Sequence, residues 1–304
     1  AEEGLELREA GIDRAILVLN GINGGAHREI IAAGLTPVVY DISEARAFQA
    51  VSADRPIDVH LKVDTGMGRL GVPLDQLQEF LRELRSCPAI RVAGLMTHLS
   101  TADADPAYVA AQMDEFKLAQ GFVRRFGHAP SVLHAANSAA LFRHPETHFD
   151  WVRPGISIYG YAGSDSVDVP LRPAMRWRTE ILRIRTLRPG QSAGYGRSFV
   201  ARCDTRLATI PLGYGDGLFR SASNRGHVLI RGARCPIVGN IAMDLTTVDV
   251  SDVPGASVGD EALLLGEQAG VTLDARDLAE AANTIPYEVL TNVSRRVPRV
   301  YRDR

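Results

Sequence analysis

The sequence holds 34 basic residues, yet only Lys62 and Lys117 are lysines. Lys62 stands inside an apolar, strand-like run, HLKVDTGMGRLGV, which also carries Asp64 and Arg69. A lysine there either packs its stem and sends its amine to an acid such as Asp64, or is desolvated so that a lowered pKa makes it a nucleophile or Schiff-base former. Gly66 and Gly68 precede Arg69, and their conformational freedom lets the chain turn back and aim the guanidinium at the same place. His98 ends the run VAGLMTHLS, where a histidine serves acid–base work or a purely structural role. In HAANSAA, Asn137 and Ser138 fall at a strand-to-helix junction. Ser138 there is either a helix N-cap or, with the helix amides, a phosphate holder. WVRPGISIYG supplies Arg153, then Gly155 and Ile156 at the end of a late strand, a place suited to close backbone approach to a phosphate.

Further along, SAGYGRSF sets Tyr195 between glycines, which offers the ring to something other than its neighbours. PLGYGDG repeats the pattern at Tyr214. NIAMD carries Met243, for which core filling competes with a site role. His144 and His148 lack an accompanying carboxylate at metal-site spacing and read as solvated loop residues, so no metal site is expected.

The elements that position these residues change character near residue 170. Before it, AILVLNG, TPVVYD, DVHLKVDT, VAGLMTHLS, SVLHAANS and WVRPGISIYG read as strands separated by amphipathic helices such as LDQLQEFLRELRSC and AYVAAQMDEFKLAQGFVRRFG. Alternation of this kind builds parallel βα units. The candidate residues fall at the strands' carboxyl ends, as in a (β/α)8 barrel. AEEGLELREAG reads as a helix already under way with no capping residue ahead of it. The expectation is therefore an α/β domain over 1–168, a (β/α)8-type barrel lacking its first two βα units, followed by a mostly β domain over 169–304. SVDVPLRPAM is the expected linker. In the second domain WRTEILRIRTL, RLATIPLGYGDG, HVLIRGARCPIVG, TTVDVSDV and EALLLG read as strands, and LDARDLAEAAN as the one clear helix.

Composition excludes other classes. Apolar residues are 45% of the 304, enough for a large core, and the net charge of −2 with mixed signs gives no nucleic-acid footprint. No run is long enough to span a bilayer and none resembles a signal peptide. Three scattered cysteines without a CxxC suggest free thiols in a reducing, cytoplasmic setting.

Taken in order, HLKVDTGMGRLGV, HAANSAA, VRPGISIYG, SAGYGRSF, IPLGYGDG, NIAMD and IPYEV resemble the pyridoxal-phosphate-dependent alanine racemases over essentially the whole chain. The resemblance implies interconversion of L- and D-alanine by proton transfer on both faces of the α-carbon of a cofactor-bound alanine. It also implies a homodimer whose sites use both subunits, and supply of D-alanine for cell-wall precursors or alanine catabolism. It gives Arg153 the cofactor's pyridine nitrogen. His98 links Arg153 to the catalytic Tyr195, which reaches in from the partner subunit. Ser138, Gly155, Ile156 and Tyr287 hold the phosphate, with Asn137 beside them, and Tyr287 also limits substrate size. Arg69 and the backbone of the partner subunit's Met243 meet the substrate carboxylate, and Tyr214 stands at the entrance. Lys62 resembles a lysine that is carbamylated in many members, so that an anion holds Arg69. The family's Schiff-base lysine, the second catalytic base, has no counterpart here. Lys117 lies on a helix outside the barrel, and the expectation is a chain with little racemisation of its own. The alternatives are a racemase of this fold for another amino acid and a non-catalytic cofactor- or amino-acid-binding module.

Overall fold

The computed structural model describes residues 1–22, 25–52, 55–163 and 169–302. The expected linker falls partly on 164–168, outside the described residues. The chain divides into two compact units, Ala1–Leu171 and Arg172–Arg304.

The first unit runs α1 (Glu2–Glu9), β1 (Leu17–Val18), α2 (His27–Ala32), β2 (Thr36–Val39), α3 (Ile42–Val51), β3 (Ile57–Asp64), β4 (Val72–Pro73), α4 (Leu74–Leu84), β5 (Ile90–Met96), α5 (Pro106–Arg125), β6 (Val132–His134) and α6 (Ser138–Arg143). Its strands pair in parallel in the order β1-β2-β3-β5-β6, with β4 added to the end of β3. Sequence-adjacent parallel strands need a crossover, and the amphipathic helices supply it. In α4 the buried Leu77, Phe80, Leu81 and Leu84 recur at helical spacing. In α5 Asp105 caps the Ala107 and Tyr108 N–H groups, and Pro106 opens the first turn. Lys117 sits on α5 in an exposed pair with Asp114.

Successive residues of a strand face opposite ways. On β3, Val59, Leu61 and Val63 enter the main hydrophobic core with Leu77, Phe80 and Phe116. His60, Lys62 and Asp64 therefore share the other face. The partner strand β5 carries a bulge: Val59 pairs with Val92 but His60 with Gly94, leaving Ala93 as the extra residue.

WVRPGISIYG, expected as a sixth strand, is not one. Trp151 makes a single bridge to His134, and Ile156–Tyr159 form a 3-10 turn. Pro154 has no N–H to give a ladder, which ends pairing there. His144 and His148 are also not solvated. His144 is buried, and His148 Nε2 lies 2.9 Å from the Leu141 carbonyl.

The second unit contains β7 (Trp177–Glu180), β8 (Arg183–Leu187), β9 (Ser192–Ala193), β10 (Phe199–Val200), β11 (Thr205–Ile210), β12 (His227–Ile230), β13 (Ala233–Pro236), β14 (Thr246–Asp249), β15 (Glu261–Gln268), β16 (Val271–Leu273), α7 (Ala275–Ala282) and α8 (Pro286–Asn292). They form antiparallel sheets ordered β14-β11-β8 and β13-β12-β15-β16, with β7 on β15, and a β9–β10 pair. WRTEILRIRTL is two strands in different sheets. An Asp274–Asp277 capping box starts the expected α7. The short α8, begun by Pro286, escaped the sequence reading. Cys87 and Cys235 are buried, Cys203 is exposed, and none is paired. No described helix is long and apolar enough to cross a membrane.

Candidate active site

The inner face of the first unit gathers Lys62, Arg69, His98 and Arg153 into one electrostatic neighbourhood. Lys62 is 4% exposed. Burial, then Arg69 and Arg153, lower its amine's pKa, and Asp64 opposes them. Asp64 does not pair with Lys62. Its carboxylate accepts from the N–H groups of Gly66 (2.9 Å), Met67 (2.8 Å) and Gly68 (2.9 Å), pinning the turn that leads to Arg69. Burial pushes the Asp64 carboxyl up, but these amides and that of Arg69 outweigh it and hold it below the usual range.

Arg153 is bound by its own chain. One terminal nitrogen donates to His134 Nδ1 (2.7 Å). The other donates to the Thr97 (2.7 Å) and Ala135 (2.8 Å) carbonyls and, at 3.4 Å, to His98 Nδ1. All these acceptors are neutral, and burial brings the guanidinium pKa down to about 10. Its Nε has no partner among the described residues. Arginine only donates, so Nδ1 of His134 must accept and its ring carries the hydrogen on Nε2; the two hydrogens of the other nitrogen go to the Thr97 and Ala135 carbonyls, and its longer approach to His98 Nδ1 favours the same tautomer there. Burial first, then Arg153, Arg69 and Lys62, push His98 down to about 4. Burial, then Arg153 and His60, push His134 down to about 3.

The Asn137 side chain caps α6 through the Ala140 N–H and also donates to the Leu99 carbonyl. Ser138, weighed as the cap, is the first helical residue, and its hydroxyl is left to accept from the Ser157 N–H at 3.4 Å. Gly155 faces this hydroxyl: a Cβ on Gly155 would have only Ser138 Oγ near it, at 3.8 Å, and Ile156 lies between Gly155 and Ser157 at the start of the 3-10 turn. Ser157 Oγ is buried with no hydrogen-bond partner among the described residues.

In the second unit the candidates are exposed. Tyr195 is 74% exposed between Gly194 and Gly196, whose φ of 72° and 70° favour glycine. Met243, at 52%, is not core filler. Its loop is locked to that of Tyr214: Tyr214 N donates to the Ala242 carbonyl and Gly215 N to that of Met243. A Cβ on Gly213 would lie 2.2 Å from the Ala242 carbonyl oxygen. The Met243 N–H itself has no backbone partner among the described residues. Tyr287 lies in the first turn of α8 and is 43% exposed.

The family model for the alanine racemase N-terminal domain matches residues 1–163, and that for the C-terminal domain matches 174–301. The chain belongs to the alanine racemase family. It is 45% identical to the alanine racemase of Sorangium cellulosum, over 99% of this chain and 83% of the relative. Among solved structures, the alanine racemase of D-cycloserine-producing Streptomyces lavendulae superposes with a TM-score of 0.93 at 36% identity, covering 99% of this chain and 81% of that one. The alanine racemase of Bacillus anthracis, with bound L-Ala-P, gives 0.92 at 30%, covering 100% and 80%.

Within this alanine racemase chain, reading the sequence missed four contributors. His134 and Thr97 hold Arg153. Ser157 adds a hydroxyl beside Ser138. His60 lies 2.7 Å from His134. Two signals were available. His60 precedes Lys62 by one strand period, and His134 opens the HAANSAA motif.

Proposed function

We propose that this chain carries the cofactor-orienting face and one proton-transfer group of an active site that interconverts L- and D-alanine on pyridoxal 5'-phosphate. The observation that carries the reading is the donor set. The buried Lys62, the half-buried Arg153 and the exposed Arg69 make no ion pair among the described residues, and cations gathered at one face without counter-ions suit an anionic ligand. The open Arg153 Nε fits a ring nitrogen, and Ser138 Oγ, the Gly155–Ile156 backbone and the orphaned Ser157 Oγ fit a phosphate, with Asn137 bracing α6 and Tyr287 a further phosphate contact.

When bound, the cofactor withdraws electrons from the Cα–H bond and makes that proton acidic. Arg153, titrating near 10, remains a donor at neutral pH. It thus holds the ring nitrogen unprotonated and moderates the withdrawal. His98, its hydrogen on Nε2, donates to the phenol oxygen of Tyr195 from a second copy and favours the phenolate, which takes the α-proton. Arg69 and the free Met243 N–H from a second copy bind the substrate carboxylate, Tyr214 lines the entrance, and Tyr287 limits the side chain to that of alanine. Exposure of Tyr195 and Met243 supports a homodimer with shared sites, the free cysteines support a cytoplasmic setting, and membership of the family supports D-alanine destined for cell-wall precursors. The lowered pKa of Lys62 supports addition of CO2 to its neutral amine, giving a carbamate that holds Arg69.

Tyr195 serves one face of Cα, and neither lysine of this chain is placed for the other, so little net racemisation is expected from it. The test supplies pyridoxal phosphate and each alanine enantiomer in D2O. Deuterium should enter at Cα from one enantiomer only, and Tyr195→Phe should abolish it. Exchange that survives Tyr195→Phe would assign the proton transfer elsewhere. Borohydride should leave no stoichiometric adduct on Lys62; one there would make Lys62 the Schiff-base former.

A further inference from the structure

His60 and His134 have no part in the chemistry above, yet they are among the most buried polar side chains of the first unit, at 3% and 0% exposure. The order of donors along them is fixed from one end. Arg153 donates to His134 Nδ1, so His134 Nε2 carries a hydrogen, which it gives to His60 Nδ1 across 2.7 Å. Space for the His60 ring is built into the sheet. The bulge at Ala93 sets Gly94 opposite His60. A Cβ on Gly94 would lie 2.4 Å from His60 Cγ and Nδ1. The φ of Gly94 is not one that requires glycine, so the ring is what excludes a side chain there. Trp151 closes the other side, its ring centre 5.3 Å from that of His60 and 5.8 Å from that of His134.

We propose that His60, acting through His134, is a positioning residue for Arg153: it locks the His134 tautomer and orientation so that one guanidinium nitrogen is tied inward and Nε is presented outward. The inference rests on the reading of Arg153 as the group facing the cofactor ring. It assigns His60 no contact with substrate or cofactor. Without an acceptor at His60, the His134 Nε2–H loses its partner inside a dry interior, and the ring is free to tilt away from Arg153. Both rings are held neutral, His60 near 4 and His134 near 3, with burial the main cause for each, so neither competes with Arg153 as a cation.

The test is nitrogen NMR of the histidine rings in the full chain at neutral pH. Both rings are expected as neutral Nε2–H tautomers with Nδ1 accepting; an Nδ1–H form of His134 overturns the proposal without any variant being made. His60→Leu removes the acceptor, and His60→Asn restores one through its amide oxygen. The His134 Nδ1 resonance should move in His60→Leu and return toward its native position in His60→Asn. The dissociation constant for pyridoxal phosphate, read by absorbance, should rise about tenfold in His60→Leu and recover to within about twofold in His60→Asn, the scale of one buried hydrogen bond. An unmoved His134 resonance, or an affinity untouched by His60→Leu, sinks the positioning role. If none of the three chains binds pyridoxal phosphate, the cofactor reading falls, while the His134 resonances still decide the hydrogen-bond chain.

Discussion

Val59, Leu61 and Val63 on one face of β3, and His60, Lys62 and Asp64 on the other, are separated by the thickness of a single strand. Leu61 and Lys62 are adjacent in the chain and nearly equal in exposure, at 1% and 4%. The outer face gains from burial, since every apolar group there displaces water and meets packed neighbours. The inner face loses, because a lysine without an anion is dried and set near Arg69 and Arg153. The comparison teaches that dryness alone does not mark a stabilising core. Here one face holds the unit together, and the other keeps cations ready for a ligand at the expense of stability.

That contrast can be broken by substitution. Leu61→Ala should cost about 2–5 kcal/mol, the range for a large apolar side chain removed from a tight core, read as a fall in the denaturant midpoint. A graded loss should come from acid. His60, His98 and His134 titrate near 4, 4 and 3 in the fold against an ordinary 6.5, so below 6.5 the unfolded chain binds more protons. Stability is therefore fully present above about pH 6.5 and falls toward pH 4 by at most about 1.4 kcal/mol per pH unit for each ring. Denaturant melts at pH 7, 5.5 and 4.5 measure it, and a flat profile would mean that the three rings are not held neutral. Lys62→Met carries the opposite sign. In bicarbonate-free buffer it should raise stability by about 1–2 kcal/mol, and a loss would show that Lys62 has a stabilising partner. Smallest of all, Tyr195→Phe should change stability by less than about 0.5 kcal/mol, because the ring is exposed, although deuterium exchange is lost.

Much of this was legible in the residues. The helix patterns of α4 and α5 carry their stripes openly, and runs such as DVHLKVDT and VAGLMTHLS are strands because β-branched and apolar residues bounded by turn formers do little else well. Asn137 and Ser138 stood out because a polar pair at a strand-to-helix junction either caps the helix or faces a ligand, and Arg153 because it is a charge just ahead of the Pro154–Gly155 pair. What escaped was set by tertiary pairing. Nothing local distinguishes Trp151, which makes one bridge, from the start of a strand. The exchange of cap and free hydroxyl between Asn137 and Ser138 depends on which side chain reaches the Ala140 N–H. His144 and His148 look solvated until α6 and its following turn fold over them. His60 reads as one more polar residue in an apolar run until β5 supplies a glycine opposite it.

The extra residue at Ala93 works like a frameshift in the strand. Ahead of it Ile90 and Val92 belong to the core, and beyond it the core position passes from even to odd, to Leu95. Were Ala93 instead given a place in the ladder, Gly94 would stand where a core side chain is wanted, Leu95 would turn toward the cations, and everything downstream on β5, including the approach to His98, would change sides. Deleting Ala93 would close the bulge and leave Leu95 in the core and Gly94 opposite His60. In the loop between α5 and β6 one extra residue alters a length; at Ala93, held out of the ladder, it sets which half of a strand is chemistry and which half is core.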